Sequence, residues 1–266
     1  MLEALLAGVL GLIIGSFLNV CVYRMPRDLS VIRPARSFCP GCETTIPWYD
    51  NIPVLSYLWL GAKCRKCRTG ISLRYPIVEF VTGALFFGIV AWFGPKPLAL
   101  KLCVFAAIQV ALIAMDFEER ILADEFTVGG LLVGLVFAWF VPMPPTILAL
   151  FFPESVDRRY IWLGESILGA TMLSSVLFSI GFLYEKLRGR EGLGFGDVKM
   201  VGMIGAFLGL PAALLTVVVG SILGTLSGVV YILLTKKEMS TYELPFGSFL
   251  GLAALLVAIY TNVTIL

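Results

Sequence analysis

Apolar residues occur along this chain in eight long blocks separated by polar loops. The blocks cover residues 2–23, 76–93, 97–115, 126–141, 161–183, 198–210, 212–234 and 244–266. Most are roughly 15 to 24 residues long, close to the roughly 20 residues that an α-helix needs to cross a bilayer. The pattern therefore predicts an all-α polytopic membrane protein with about eight transmembrane helices. The first block has no basic segment before it and no small-residue cleavage site, so we interpret it as a membrane helix.

Composition agrees with a membrane protein and narrows the chemistry. Hydrophobic residues make up 59% of the 266, charged residues only 14%, and the mean hydropathy is +0.93. A soluble domain has about 25% charged residues. The chain contains no histidine. This excludes Ser-His-Asp and Cys-His catalysis, HExxH metalloproteases and every histidine-ligated metal site.

The distribution of basic residues predicts the orientation. If the polar segment 24–75 lies inside, 16 of the 20 Lys and Arg residues fall in inside loops. Only Lys96, Lys101, Arg158 and Arg159 fall outside. Cytoplasmic loops carry this excess, so we expect the amino terminus outside and segment 24–75 in the cytoplasm. The loops at Asp116 and Asp197 then share the cytoplasmic side.

Three aspartates stand at the ends of apolar blocks. Asp116 follows the third block, Asp124 comes eight residues later, and Asp197 opens the sixth block after Gly194-Phe195-Gly196. We expect Asp197 at or just before a helix start, where a capping carboxylate is stabilised. Capping does not explain the flanking glycines, which allow close backbone approach. Ionisable groups at membrane depth indicate function, and two facing carboxyls that share a proton can hydrolyse a peptide bond.

Four of the six cysteines form two CxxC pairs in segment 24–75. Cys39 and Cys42 are followed after 21 residues by Cys64 and Cys67. The pattern is typical of a four-cysteine zinc ribbon, with a spacer slightly longer than usual. Two disulfides are the alternative, but a cytoplasmic loop is reducing, which favours a structural zinc ion. Cys21 and Cys103 lie in apolar blocks, where we expect them to pack.

Several motifs together resemble one family. Gly194-Phe195-Gly196-Asp197 resembles the GxGD motif of intramembrane aspartyl proteases, and the following Val198-Lys199 is similar to the type IV prepilin peptidases. MDFEERILADEFT, GSFLNVCVYRMP, IPWYDNIPVLSYLWL, ISLRYPIVE and PFGSFLG are also similar to that family. The family usually has Leu-Pro-Asp where this chain has Leu122-Ala123-Asp124, and Arg-Gly-Lys-Cys where it has Gly61-Ala62-Lys63-Cys64.

The resemblance implies a bifunctional enzyme. It would cleave the basic leader from prepilins or pseudopilins at the cytoplasmic face of the bacterial inner membrane. It would then N-methylate the new amino terminus with S-adenosylmethionine. The resemblance makes Asp116 and Asp197 the catalytic pair. We expect Asp124, Gly194, Gly196 and Lys199 to support them.

The implied domain organisation has three parts. Residues 1–23 form the first transmembrane helix, 24–75 a cytoplasmic cysteine-bearing domain associated with methylation, and 76–266 a seven-helix protease domain with an extracytoplasmic insert at 142–160. The expected partners are the prepilin substrate and the lipid bilayer, with no nucleic acid. The sequence carries no glycine-rich fingerprint for S-adenosylmethionine. A protease without methyltransferase activity therefore remains an alternative. A carboxylate-dependent transporter is another, because transporters also use carboxylates at membrane depth.

Overall fold

The computed structural model describes residues 1–143, 147–189, 192–235 and 244–263. Within these ranges the chain is helical, and its only extended pairings are two isolated β-bridges. The all-α prediction is therefore confirmed. The helices are α1 (Leu2–Arg24), α2 (Leu55–Trp59), α3 (Arg74–Phe93), α4 (Pro97–Glu119), α5 (Asp124–Phe140), α6 (Arg158–Arg188), α7 (Phe195–Leu208), α8 (Leu210–Thr235) and α9 (Phe246–Val263).

Each of the eight apolar blocks corresponds to one long helix. The short helix α2 lies outside these blocks, in segment 24–75. Among the described residues, six helices are long and apolar enough to cross a membrane: α1, α3, α4, α6, α8 and α9. The remaining two are shorter, with 17 residues in α5 and 14 in α7. At 1.5 Å per residue α7 is about 21 Å long, less than the roughly 30 Å hydrocarbon core.

The chain forms two compact units, Met1–Met115 and Asp116–Leu266. In the first unit α1 packs along α3 through small residues. A Cβ atom added at Gly15 would lie 2.7 Å from the Cα of Glu79, so the two backbones nearly touch. Small residues allow such close helix contact in lipid. The Asn19 amide nitrogen also donates to the Tyr75 carbonyl at 3.0 Å.

Arg24 organises the chain that leaves α1. Its guanidinium is buried and donates to four backbone carbonyls at 2.9–3.1 Å, those of Ser30, Val31, Pro34 and Arg36. Arginine presents five donors in a fixed fork, so one side chain can hold several carbonyls of a loop. The loop therefore folds back around the end of α1 before the first cysteine pair.

In the second unit α7 packs against α5, α6, α8 and α9. Val198 and every residue from Met200 to Leu208 are buried. A Cβ atom at Gly205 would lie 2.3 Å from the carbonyl carbon and oxygen of Gly169 on α6. Ser166 on α6 donates to the carbonyl of Ala206 at 2.5 Å. Because protein surrounds α7, it does not need the length of a lipid-facing helix.

The insert that we expected at 142–160 is shorter than its sequence suggests. Its last residues, from Arg158, already belong to α6, and Asp157 caps that helix by accepting from the Arg159 amide at 3.0 Å. The described part contains a 3-10 turn at Leu148–Leu150. The amide of Leu148 donates to the buried carboxylate of Glu165 on α6 at 3.1 Å, which fastens the insert to the bundle.

We predict that Gly205→Ala destabilises the second unit. The new methyl group would overlap the backbone of Gly169, and overpacking of this kind costs about 1–3 kcal/mol. Gly129→Ala on α5 is the matched control, because nothing lies within 4 Å of its Cβ position. Thermal unfolding in detergent should show a lower Tm for Gly205→Ala only. Equal Tm values for the two variants would contradict the close α6–α7 contact.

Candidate functional site

Asp116 lies in the last turns of α4, because the helix continues past the apolar block to Glu119. Its carboxylate is buried and belongs to the second unit. The Oδ2 atom accepts two hydrogen bonds from Ser248, one from the backbone amide at 2.6 Å and one from the hydroxyl at 2.7 Å. Ser248 is the third residue of α9, and its amide also donates to the Pro245 carbonyl at 3.2 Å. A helix amino terminus therefore faces a carboxylate.

Asp197 is the third residue of α7 and does not cap it, which corrects the expectation from the sequence. The N-cap is Gly194, which has an extended backbone, and the amide of Asp197 donates to the Gly194 carbonyl at 3.0 Å. The side chain of Asp197 is half-buried. It lies in the first turn of α7, where the helix dipole stabilises negative charge.

The two carboxyl groups meet at Gly247. A Cβ atom added there would lie 3.2 Å from the Cγ of Asp116 and 3.2 Å from the Oδ1 of Asp197. The same position is 3.2 Å from the Cδ1 of Leu122, so even a methyl group would crowd three side chains. Like charges this close disfavour double ionisation, so the pair can hold a proton between them.

The other residues expected to support the pair lie around this site. Lys199 donates to the Oδ1 of Asp124, the first residue of α5, and stands 4.9 Å above the ring of Phe195. Asp124 therefore pairs with a cation of α7. A Cβ atom at Gly196 would lie 3.2 Å from Leu122, and one at Gly194 would lie 3.3 Å from the Oδ2 of Asp197.

Sequence reasoning did not identify Gly247 and Ser248 as part of this site. The PFGSFLG segment was used only for the family resemblance. A usable signal was present, because Pro245 precedes a helix start and Ser248 lies in the first turn of that helix, where a serine hydroxyl can bond a neighbouring group. The partner, Asp116, is 132 residues away, so no local pattern could have indicated it.

The four cysteines expected to bind metal come together in the first unit. Their four Sγ atoms all lie within 4.8 Å of one another, and those of Cys39 and Cys67 are 3.7 Å apart. Sulfurs bound tetrahedrally at about 2.3 Å from one zinc ion are about 3.8 Å apart, so the cluster could hold a metal ion. All six cysteines are free, so neither CxxC pair is a disulfide.

The two CxxC turns repeat one backbone design. In each, the first cysteine receives a hydrogen bond four residues later: Glu43 N donates to Cys39 O, and Arg68 N donates to Cys64 O. Both Glu43 and Arg68 have positive φ, and an isolated bridge closes each turn. Local geometry therefore places the two sulfurs within each pair.

Hydrogen bonds favour the thiolate form of two of the four cysteines, Cys42 and Cys67. Bonds with Thr69 lower the pKa of the Cys67 thiol to about 6, and bonds with Thr44 lower the pKa of Cys42. Burial raises the pKa of Cys39 to about 11. The thiolate is the form that binds metal, so two of the four ligands are predisposed to it.

Comparison with known proteins gives two family matches. Residues 9–93 match the bacterial peptidase A24 N-terminal domain, and residues 103–229 match the type IV leader peptidase family. The second match includes Asp116 and Asp197, whereas Gly247 and Ser248 lie beyond it. No solved structure matches the chain.

Several curated relatives carry the name prepilin leader peptidase/N-methyltransferase. The protein from Myxococcus xanthus is 38% identical over 229 residues, which cover 86% of this chain and 63% of the relative. The protein from Neisseria gonorrhoeae is 33% identical, covering 85% of this chain and 81% of the relative. The protein from Aeromonas hydrophila is 32% identical, covering 91% and 85%. The chain thus spans less than two thirds of the Myxococcus protein.

We predict that the purified protein carries metal at the four-cysteine cluster. Cys39→Ser should lose most of it, because three thiolates leave a tetrahedral site open. Cys103→Ser is the matched control, since this buried cysteine lies in α4, outside the cluster. Elemental analysis of the membrane-extracted proteins measures the difference. Equal metal content in both variants, or none in the unaltered protein, would contradict the site.

Proposed function

This chain belongs to the type IV leader peptidase family, and we propose that it cleaves prepilins or pseudopilins with Asp116 and Asp197. The observation that carries the proposal is the convergence of both carboxyl groups on Gly247. The two carboxyl groups, each near a helix end, meet around one glycine. Aspartic proteases use this arrangement to hydrolyse peptide bonds.

The hydrogen bonds suggest which of the two carboxyl groups is ionised and which is protonated. Asp116 accepts two hydrogen bonds from Ser248, and donors of this kind favour the charged form of a carboxyl group. We therefore assign the shared proton mainly to Asp197. Asp116 would take a proton from water as the water oxygen attacks the scissile carbonyl carbon. Asp197 would give its proton to the carbonyl oxygen.

The second half of the reaction returns both carboxyls to their starting state. The tetrahedral intermediate collapses when its C–N bond breaks and the departing nitrogen takes the proton held by Asp116. The hydroxyl proton of the intermediate returns to Asp197 as the carbonyl re-forms. One water is consumed, and a carboxylic acid and an amine are released. Only proton transfer is needed, which agrees with a chain that has no histidine.

Lys199 has a positioning role in this proposal. Its ion pair with Asp124 joins the start of α5 to the start of α7, the helix that carries Asp197. This ion pair would hold the first turn of α7, and with it Asp197, in place.

We also propose N-methylation of the new amino terminus, with S-adenosylmethionine as donor and segment 24–75 as the region associated with this step. The sequence has no glycine-rich nucleotide motif, and no residue is assigned to the donor. We propose zinc for the four-cysteine cluster, held by Cys39, Cys42, Cys64 and Cys67. A zinc ion closed by four thiolates supplies folding stability and no open position for catalysis.

The proposed setting is the bacterial inner membrane. The distribution of Lys and Arg supports an amino terminus outside and a cytoplasmic location for segment 24–75, Asp116 and Asp197. A substrate with a basic leader and an apolar helix could then lie in the bilayer with its scissile bond at the cytoplasmic face.

Mass spectrometry of a prepilin incubated with the purified enzyme tests both activities. We expect loss of the leader without S-adenosylmethionine, and loss of the leader plus one methyl group on the new amino terminus with it. Cleavage without methylation would leave the peptidase proposal standing and refute the transferase. An intact substrate, confirmed with a second prepilin, would refute both.

We predict that Asp116→Asn and Asp197→Asn each abolish cleavage while the protein still inserts and folds. An amide at either position can neither accept the water proton nor supply one to the carbonyl. Glu125→Gln is the matched control, because it removes an exposed carboxylate next to Asp124 in the sequence. Cleavage rates measured on the same prepilin give the comparison. Normal activity in either asparagine variant would refute the catalytic pair.

We predict a smaller effect for Ser248→Ala. The variant keeps the backbone amide bond to Asp116 and loses the hydroxyl bond, and a hydrogen bond to a charged group contributes about 1.5–3 kcal/mol. Cleavage should therefore slow by roughly 10- to 100-fold. Ser227→Ala on α8 removes an exposed hydroxyl and serves as the control. An unchanged rate for Ser248→Ala would show that the hydroxyl does not hold the catalytic carboxylate.

A further inference from the structure

The short helix α2 in the cysteine-bearing segment exposes an apolar face. Leu55, Leu58 and Trp59 are 62%, 69% and 86% exposed within the structure. Their spacing of three and four residues places them on one side of the helix. Ser56 and Tyr57, between them, are half-buried. We refer to Leu55, Leu58 and Trp59 as the α2 face.

The depth of α2 is set by a hydrogen bond to a membrane-spanning helix. The amide of Val54, the N-cap of α2, donates to the Oε2 of Glu79 at 2.7 Å. Glu79 is the sixth residue of α3, so it lies about 7.5 Å along the axis from the first residue of that helix. The start of α2 therefore lies beside the second turn of a helix that is long and apolar enough to cross the bilayer.

The hydrogen bond between Val54 and Glu79 lies where α1 and α3 pack closely together. Glu79 is the residue whose Cα approaches the Cβ position of Gly15 to 2.7 Å on α1. One turn earlier on α3, the Tyr75 carbonyl accepts from Asn19. Contacts between α1 and α3 thus hold Glu79, which accepts the hydrogen bond from the Val54 amide. Helix α2 therefore has little freedom to move along the membrane normal.

We propose that the α2 face lies in the lipid bilayer, at the boundary between headgroups and acyl chains. An exposed apolar face held beside the end of a spanning helix continues the lipid-facing surface of that helix. Tryptophan favours this depth because its ring is apolar and its N–H can reach polar groups. Interfacial helices bury such faces about 5–10 Å into the boundary. The chain continues through exposed Lys63 and Arg68, whose charges suit anionic headgroups.

Membrane contact at α2 would also position the second CxxC turn. The amide of Ala62 donates to the carbonyl of Tyr57 on α2 at 3.0 Å, and the amide of Ile71 donates to the Ala62 carbonyl at 2.7 Å. The turn that contains Cys64 and Cys67 is therefore joined directly to the end of α2. This inference concerns the first unit alone and does not depend on the peptidase proposal.

Depth-dependent fluorescence quenching tests the proposal on the full-length protein. A single-tryptophan variant keeps Trp59 and replaces Trp48, Trp92, Trp139 and Trp162 with phenylalanine. It is reconstituted in vesicles of phosphatidylcholine and phosphatidylglycerol that carry a spin label at acyl carbon 5 or carbon 12. We expect the carbon 5 label to quench Trp59 roughly twofold more than the carbon 12 label, and aqueous acrylamide to quench it weakly.

A second measurement covers the case in which the four replacements impair folding. The unaltered protein and the Trp59→Phe variant are reconstituted in the same vesicles, and the difference between their emissions isolates Trp59. As a positive control, the same difference between the unaltered protein and a Trp92→Phe variant reports on a 68% exposed tryptophan in the last turn of α3. Its quenching by the lipid labels verifies the reconstitution.

Two outcomes would overturn the proposal. Strong acrylamide quenching of Trp59 with no effect of either lipid label would place the α2 face in water. Protection from both acrylamide and the lipid labels would mean that protein covers the face, either another part of this chain or a second copy.

Discussion

A buried carboxylate at the end of α4 constrains the architecture of the second unit. Removing a charge from water costs several kcal/mol unless donors replace the lost hydration. Asp116 obtains these donors from Ser248, in the first turn of α9. The amino terminus of α9 must therefore lie against the end of α4, and the residue next to Ser248 must be small. Gly247 meets that requirement, and its missing side chain is where the second carboxyl group, that of Asp197, comes close.

The position of Asp197 depends in turn on the burial of α7. A 14-residue helix leaves polar ends at membrane depth, and these ends need protein around them. The contact between Gly205 and Gly169 draws α7 against α6, and the Ser166 hydroxyl satisfies a carbonyl near its end. Because α7 cannot slide without breaking this contact, its first turn is held in place. The ion pair of Lys199 with Asp124 fixes the same turn from the side of α5.

The sequence predicted those features that depend on neighbouring residues. Apolar blocks indicated the eight long helices because hydropathy is a property of a local window, and the CxxC spacing indicated the cysteine cluster because each turn is only a few residues long. The ends of α4 and α7 were predicted less accurately, because both helices continue through polar residues that the hydropathy pattern excludes, and Asp116 can lie in a helix because Ser248 donates to its carboxylate. The role of Ser248 could not be predicted because its partner is 132 residues away. The exposed face of α2 was missed for a different reason, because five residues are too few to show a helical period.

The two CxxC turns share one backbone conformation, but they follow different helices of the first unit. Both CxxC turns place a residue with positive φ four positions after the first cysteine, Glu43 in one and Arg68 in the other. A non-glycine residue in this region costs roughly 1–2 kcal/mol, so each turn depends on the hydrogen bonds that close it. The first turn follows the loop that Arg24 holds against the end of α1. The second follows α2, and its entry adds another positive φ at Ala62, where the related family has glycine. Two strained turns brought to one cluster from separate helices cannot be held by local geometry alone, and a shared metal ion is the interaction that would join them.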